Sequence, residues 1–249
     1  MSALHPDFLR RPIAHRGLHS NGVPENTMAA FQAAIDAGYG IELDIQPAAD
    51  GTPLVFHDYV LDRLTASTGP VAALTTDQAG ATQVLGTKET VPTLSQVLDL
   101  VAGRVPLLIE IKDQDKGCGP NVGDLQDRVA GLLNGYKGPV AVMSFNPHTV
   151  SAFHRAAPWV ACGLTSCAMN PHDWPQVDPA TRERLARLAD FAMSGASFTS
   201  HDRKDLQNPA VVALRDAGTP ILSWTIRSAE QAQDALKGSD NITFEGFPA

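Results

Sequence analysis

The sequence is short of cysteine and of basic residues, and each shortage argues against a class of protein. Its 249 residues include only three cysteines, Cys118, Cys162 and Cys167. Their odd number and their spacing match neither a zinc site nor a small disulfide framework, so we expect small, half-buried thiols with no assigned role. The 19 lysines and arginines are outnumbered by 27 acidic residues, which gives a formal net charge of −8. Nucleic-acid binding needs a basic stripe, and we expect no such partner.

Long apolar runs are also missing. No stretch reaches the roughly 18 consecutive apolar residues of a membrane span. The first residues, MSALHPDFLRRP, lack the apolar region of a signal peptide. We therefore expect no stable membrane association and a cytoplasmic location.

What the sequence does contain is an alternation of short apolar runs and helix-like segments, which is typical of an α/β fold. Predicted strands cover residues 12–16, 40–46, 53–57, 106–112, 139–145, 159–165, 190–193, 220–226 and 241–245. Helix starts are marked by Asn26-Thr27, Thr93-Leu94-Ser95-Gln96, Asn208-Pro209 and Ser228 with Gln231. Further helices are predicted near residues 122–133, 147–156 and 180–188.

Nine strands are one too many for an eight-stranded barrel, and a short connection identifies the extra one. Only residues 47–52 separate the second strand from the third, whereas a parallel crossover needs about a dozen residues or more. The Asp50-Gly51 pair within this connection favours a hairpin. We therefore predict that 53–57 runs antiparallel at the barrel mouth. The remaining eight strands predict a (β/α)8 TIM barrel, as one domain over residues 1–249.

Two predicted strands carry charged side chains on a single face. Alternation places Glu42 and Asp44 opposite three aliphatic residues, and it pairs Glu110 with Lys112 opposite two isoleucines. Buried carboxylates cost several kcal/mol each, as an order of magnitude, unless they are matched, and one lysine does not neutralise three of them. Oxygen ligands on rigid strands suit Mg²⁺ or Ca²⁺. The alternative is a structural network with arginine or lysine.

Two histidines stand at predicted strand ends. His15 is followed by Arg16 at the end of the first strand, and His57 closes the extra strand. Imidazoles titrate near neutral pH and serve as general acid and general base, although each also has a structural reading as a hydrogen-bonded residue. Arg16 and Lys112 add donors for phosphate. A cation site, two histidines and two basic groups facing one cavity indicate phosphoester chemistry.

These residues belong to a longer series of spaced motifs. The series is His15-Arg16-Gly17, Pro24-Glu25-Asn26-Thr27, Glu42-x-Asp44, Asp50-Gly51, Val55-Phe56-His57-Asp58, Leu61-Asp62-Arg63-x-Thr65, Pro92-Thr93-Leu94, Ile109-Glu110-Ile111-Lys112, Ser144-Phe145 and Trp224-Thr225. In content and order it resembles the glycerophosphodiester phosphodiesterases, from residue 13 to about residue 226. Such a series is too long to arise by chance.

The resemblance implies a barrel with one divalent metal, Mg²⁺ or Ca²⁺, that hydrolyses a small-molecule glycerophosphodiester to glycerol 3-phosphate and an alcohol. The roles that it implies are metal ligation by Glu42, Asp44 and Glu110, acid/base catalysis by His15 and His57, and substrate contact by Arg16, Lys112 and Trp224. Trp224 is also open to interpretation as a barrel-core residue.

Two acidic residues have open roles. Glu25 either orients Arg16, approaches the metal or is simply an acid at a helix N-terminus. Relatives often end their last strand with Thr-Asp-aromatic-Pro, whereas this chain has Thr243-Phe244-Glu245 followed by Gly246-Phe247-Pro248. The acid is displaced, so Glu245 is expected at most to support the site indirectly.

Two other functions remain as alternatives. One is a phospholipase-type phosphodiesterase acting on lipid, and the other is a non-catalytic barrel that binds phosphoesters. The sequence leaves open the leaving alcohol, the choice between the two metals, which histidine is the base, and the oligomeric state.

Overall fold

The fold is a closed parallel barrel surrounded by helices, described by a computed structural model over residues 2–249. Its strands are β1 (Ile13–Ala14), β2 (Gly40–Pro47), β3 (Pro53–Val55), β4 (Leu107–Ile111), β5 (Val140–Ser144), β6 (Ala161–Ser166), β7 (Phe198–Asp202), β8 (Ile221–Ile226) and β9 (Asn241–Phe244). Its α-helices are α1 (Met28–Ala37), α2 (Thr76–Ala81), α3 (Leu94–Val101), α4 (Leu125–Leu133), α5 (Pro147–Ala156), α6 (Pro179–Ala186), α7 (Phe191–Ser194), α8 (Pro209–Asp216) and α9 (Ala229–Ala235).

The strand order confirms the predicted TIM barrel. Around the ring it is β1, β9, β8, β7, β6, β5, β4 and β2, and pairing of β1 with β2 closes the barrel. The short strand β3 pairs antiparallel with β2 outside the ring, through the predicted hairpin at Asp50-Gly51. Because all eight ring strands are parallel, their carboxyl ends meet at one mouth.

The helices begin where the capping signals predicted. At α3, Thr93 accepts a hydrogen bond from the amide of Gln96, whose side chain accepts one from the amide of Thr93. At α9, Ser228 accepts from the amide of Gln231, but the Gln231 side chain accepts from the amide of Arg227 instead. Only the first half of that predicted capping box therefore forms.

The predicted seventh strand at residues 190–193 is wrong. Those residues enter the short helix α7, and the true strand is Phe198–Asp202. This strand escapes a search for apolar runs because most of its buried side chains are polar. Two of them bond to the neighbouring strand β6: the Thr199 hydroxyl donates to the carbonyl of Leu164, and His201 Nδ1 lies 2.8 Å from the Ser166 hydroxyl.

The interior of the barrel is apolar at the bottom and polar at the mouth. A small cluster fills the bottom, and Phe8 of the N-terminal segment belongs to it. The side-chain amide of Asn241 fixes that segment by donating to the backbone carbonyls of Phe8 and Arg11. A larger cluster, which includes Ile41 and Ile109, lies between the strands and the helices. The alternation of β2 and β4 therefore points their charged side chains inward, as predicted.

The three cysteines are free and buried, more deeply than predicted. Burial raises the pKa of the Cys162 and Cys167 thiols to about 11. Among the helices within residues 2–249, none is long and apolar enough to cross a bilayer.

Candidate active site

Three carboxylates form the centre of the barrel mouth. Glu42 and Asp44 project from β2 and Glu110 from β4, and the pairing register places Asp44 directly beside Glu110. One oxygen from each lies within 4.8 Å of the other two. All three side chains are buried, with 2 to 6% of their residue surface exposed. The structure thus brings together the three predicted metal ligands.

Two cations contact this carboxylate cluster without balancing it. Lys112 Nζ lies 3.1 Å from Asp44 Oδ1 and 2.8 Å from Glu110 Oε1. Arg16 Nε lies 3.4 Å from Asp44 Oδ2, while the guanidinium also bonds to Glu25 at 2.6 Å. Three buried carboxylates therefore share a lysine and part of an arginine.

The excess negative charge of the cluster affects the pKa of Glu42. Burial raises its pKa well above the usual range, and the neighbouring Asp44 and Glu110 raise it further. Burial acts in the same direction on Asp44, but Lys112 and the other nearby cationic groups outweigh it and lower the Asp44 pKa. A cluster of oxygen donors that still needs positive charge fits a hard divalent cation.

Each predicted catalytic histidine has a carboxylate on the same ring nitrogen. His15 Nδ1 lies 2.5 Å from Glu245 Oε2, and His57 Nδ1 lies 2.7 Å from Asp58 Oδ1. The hydrogen bond from His15 lowers the pKa of Glu245. Burial would raise the pKa of Asp58, but hydrogen bonds from His57 and Arg63 lower it. Both acids are therefore ionised acceptors, which places a proton on each Nδ1 and leaves Nε2 for chemistry.

Glu25 lies behind Arg16 in a network with a second arginine. Its Oε1 accepts hydrogen bonds from Arg16 at 2.6 Å and from Arg63 at 2.7 Å. Arg63 in turn donates to Asp58 at 2.6 Å, so a single chain of hydrogen bonds runs from Arg16 to the carboxylate that holds His57. Of the roles predicted for Glu25, these contacts favour orientation of Arg16, which stays a prediction.

A cavity of about 260 Å³ lies over the carboxylates and contains every predicted contact residue. Trp224 forms part of its wall, with its indole donating to the carbonyl of Ser200 and its ring 5.7 Å from that of Phe145. The full lining is His15, Arg16, Glu42, Asp44, His57, Glu110, Lys112, Met143, Phe145, Thr165, Ser200, Asp202, Arg203, Lys204, Trp224, Thr225, Arg227 and Thr243.

A second cavity, of about 470 Å³, opens beside the first. The two share His57, Glu110, Lys112, Phe145 and Trp224. Loops add Tyr59 and Trp174 to its wall, and the Phe145 and Trp174 rings lie 4.8 Å apart. We call it the aromatic cavity.

Sequence reasoning missed two residues that complete the site. Asn26 donates a 3.0 Å hydrogen bond to Asp44, although its helix-capping position suggested only a local role. Trp174 lies in a loop after β6, where no periodicity marks it. The motif around Asn26 was the available signal for the first, and no sequence signal marked the second.

The barrel and this arrangement of carboxylates, histidines and basic groups define a phosphoester-cleaving class of barrel enzyme. The model of the glycerophosphoryl diester phosphodiesterase family matches residues 15–239. The chain belongs to that family. It is 35% identical to a glycerophosphodiester phosphodiesterase of Caldanaerobacter subterraneus subsp. tengcongensis over 92% of this chain and 91% of that protein.

Other relatives and solved structures agree. A glycerophosphodiester phosphodiesterase of Bacillus altitudinis is 33% identical over 95% of this chain and 94% of its own length. An Oleispira antarctica phosphodiesterase, solved with its product sn-glycerol-3-phosphate, has the same fold with a TM-score of 0.77 and 22% identity, over 97% of this chain and 96% of that one.

Proposed function

We propose that the chain hydrolyses glycerophosphodiesters to sn-glycerol 3-phosphate and an alcohol, with His15 and His57 as its acid/base pair. The observation that carries this proposal is the meeting of three buried carboxylates and two carboxylate-held histidines in one cavity. Family membership supports the reaction, and the product bound to the Oleispira antarctica neighbour is consistent with it.

Glu42, Asp44 and Glu110 are the residues that would hold one divalent cation, Mg²⁺ or Ca²⁺. Their oxygen-only donor set and the raised pKa of Glu42 support this assignment. When bound, the cation supplies positive charge that offsets the charge of the phosphodiester.

Arg16 and Lys112 bind the phosphodiester oxygens in this proposal. Both line the cavity, and both are held by acids that fix their positions. Trp224 packs against the substrate from the wall that the two cavities share. Burial is expected to strengthen these contacts because water screens charge less inside the cavity.

Proton transfer falls to the two imidazoles through their Nε2 atoms. One accepts the proton of the attacking oxygen, and the other donates a proton to the departing alkoxide. We propose that the attacking oxygen is the 2-hydroxyl of the substrate's own glycerol. Its attack forms a cyclic phosphate and releases the alcohol, and water then opens the ring. Intramolecular attack benefits from the proximity of the reacting atoms.

We further propose a cytoplasmic enzyme of lipid and glycerol metabolism whose partner is its small-molecule substrate. The three free, buried thiols suit a reducing compartment.

The test is turnover of a panel of soluble glycerophosphodiesters, followed by release of sn-glycerol 3-phosphate, and of a lysophospholipid, followed by release of its head-group alcohol, with Mg²⁺ or Ca²⁺ and with chelator. Release from the soluble diesters that chelator abolishes supports the proposal. Exclusive turnover of the lysophospholipid would replace it with the phospholipase alternative. Absence of turnover across the panel with either metal would contradict it.

A further inference from the structure

A second group of potential metal ligands lies beside the catalytic cavity, apart from the three carboxylates. It consists of His15, His19 and Glu245, and one nitrogen of each imidazole and one carboxylate oxygen lie within 4.8 Å of one another. His15 and His19 follow β1, and Glu245 follows β9. The pairing of β1 with β9 therefore brings the three side chains together. His19 has no part in the proposed reaction.

The ring nitrogen of His19 that faces Glu245 lacks a hydrogen bond. His19 Nε2 is shielded from water and has no hydrogen-bond partner within residues 2–249. Glu245 Oε2 lies 3.6 Å from it, too far for a hydrogen bond. Two ligand atoms of a tetrahedral zinc site, with bonds of about 2.1 Å, are about 3.4 Å apart. The gap between His19 and Glu245 therefore suits a bound ion better than it suits a hydrogen bond.

Glu245 presents one oxygen to both imidazoles. Its Oε2 lies 2.5 Å from His15 Nδ1, while its Oε1 accepts a hydrogen bond from Arg227 at 2.8 Å. Arg227 thus holds Oε2 towards the histidines, and solvent screens its own charge because most of its side chain is exposed. The three ligand side chains are 13 to 24% exposed, so a small ion reaches them from solvent. Binding requires His15 and Glu245 to separate by about 1 Å.

We infer that His15, His19 and Glu245 form a second metal site, which takes Zn²⁺ and inhibits the enzyme. Two imidazoles and one carboxylate are a donor set that zinc accepts, with the fourth position left to water. Mg²⁺ and Ca²⁺ prefer oxygen ligands alone, so these ions fit the carboxylate cluster instead. The two sites therefore differ in the ion that each selects.

Zinc at this site prevents His15 from transferring protons. When the neutral imidazole coordinates through Nδ1, the Nδ1 proton moves to Nε2, which then cannot accept the proton of an attacking oxygen. Because the ion occupies Nδ1, the ring also cannot take up the second proton that makes it a general acid. Inhibition rests on the proposed acid/base role of His15, whereas zinc binding does not.

Zinc titrations of wild type and two variants test the site. His19→Ala removes a proposed ligand, and His148→Ala, at an exposed histidine on α5, is the matched control. Turnover is measured with saturating Mg²⁺ or Ca²⁺, and each variant is compared with its own zinc-free rate. The zinc inhibition constant should rise by at least about 10-fold in His19→Ala, since loss of a partner behind a ligand already weakens metal binding that much. It should be unchanged in His148→Ala.

Cobalt gives a readout that does not depend on activity. Four-coordinate Co²⁺ absorbs visible light much more strongly than the six-coordinate aqueous ion. Co²⁺ added to protein saturated with Mg²⁺ should give this strong absorption in wild type and in His148→Ala, and His19→Ala should lose it. Circular dichroism of the same samples shows whether His19→Ala is folded.

The outcomes separate this inference from the proposed function. Equal zinc inhibition in wild type and His19→Ala would overturn the inference, as would inhibition that added Mg²⁺ relieves, because zinc would then act at the carboxylate cluster. Absence of the cobalt absorption in wild type would overturn it as well. Cobalt absorption that requires His19, without inhibition by zinc, would confirm the metal site and contradict only the acid/base role of His15.

Discussion

The two histidines at the barrel mouth reach the same arrangement by different routes. His57 takes its carboxylate from the next residue, Asp58, whereas His15 takes its carboxylate from Glu245, 230 positions away. The barrel brings His15 and Glu245 together because β1, which leads into His15, pairs with β9, which leads into Glu245. The displaced acid of the C-terminal segment therefore acts on His15, and we expect it to tune that imidazole.

Substitution of both histidines gives the first prediction. His15→Ala and His57→Ala should each lower kcat by about 100- to 10,000-fold, the usual contribution of a general acid or base. The exposed His148 on α5 is the matched control, and His148→Ala should leave kcat unchanged. Circular dichroism should show intact folds throughout. Near-normal turnover in either cavity variant would remove that histidine from the acid/base pair.

A pH profile tests the role of Glu245. Burial lowers the pKa of His15 below 6.5, and the hydrogen bond that His15 donates to Glu245 opposes that shift. Glu245→Gln removes the negative charge that favours the imidazolium, so the His15 pKa should fall further. The limb of the kcat/KM profile that belongs to His15 should then move to lower pH. A shift of the acidic limb identifies His15 as the base, and a shift of the basic limb identifies it as the acid.

The control for this profile is Glu183→Gln, which removes an exposed carboxylate on α6. It should leave both limbs in place. A Glu245→Gln profile that coincides with the wild-type profile, or that moves to higher pH, would show that Glu245 does not tune His15.

At the scale of elements, a strand could be predicted from the sequence where its polar residues alternate with aliphatic ones. Strands β2 and β4 were predicted because their charges alternate with aliphatic residues that pack outward. Strand β7 was misplaced because Thr199, Ser200 and His201 are buried despite being polar. Thr199 and His201 bond to Leu164 and Ser166 on the neighbouring strand β6, and a sequence read without pairing register does not reveal these partners.

Glycines at two helix ends are predicted to contribute to stability through the conformation of the loops that follow the helices. Gly38 ends α1 and Gly103 follows the end of α3, with φ angles of +75° and +74°. A left-handed conformation costs an L-residue about 1–2 kcal/mol, so Gly38→Ala should lose roughly that free energy of unfolding. No atom lies within 4 Å of a Cβ added there, whereas one added at Gly103 would overlap the backbone carbonyl of Lys137. Gly103→Ala should therefore lose about 1–3 kcal/mol more.

Urea unfolding measures both variants against wild type. Equal losses at the two positions would show that the chain near Lys137 moves freely enough to admit the methyl group. That result would count against tight packing where the connection after α3 meets the entry to β5.

At the scale of the whole molecule, the net charge of −8 conceals where the acids lie. The sequence sufficed to predict the barrel, the extra hairpin strand and the inward carboxylates, since these follow from alternation and connection length. It did not suffice for contacts such as Glu25 with Arg63 or Asn26 with Asp44, which depend on loop paths. The carboxylate cluster of Glu42, Asp44 and Glu110 also affects the stability of the entire fold.

Cation binding should stabilise the molecule because it relieves repulsion among three buried carboxylates. A ligand at 100 times its Kd contributes about 2.7 kcal/mol to the free energy of unfolding. For a chain of this size, that raises Tm by about 5–10 °C, at roughly 2–4 °C per kcal/mol. We expect this rise when Mg²⁺ or Ca²⁺ is added to chelator-treated protein, together with recovery of activity.

Two variants separate the cluster from the surface acids. Glu42→Gln removes a proposed ligand and lessens the repulsion, so the protein should be more stable in chelator and gain less from the cation. Asp216→Asn removes an exposed acid on α8 and should respond as wild type does. Differential scanning calorimetry in chelator and in each cation measures the shifts. If the cation raised Tm equally in wild type and Glu42→Gln, the stabilising ion would bind elsewhere, and the buried carboxylates would have to be balanced by protons, Lys112 and Arg16 alone.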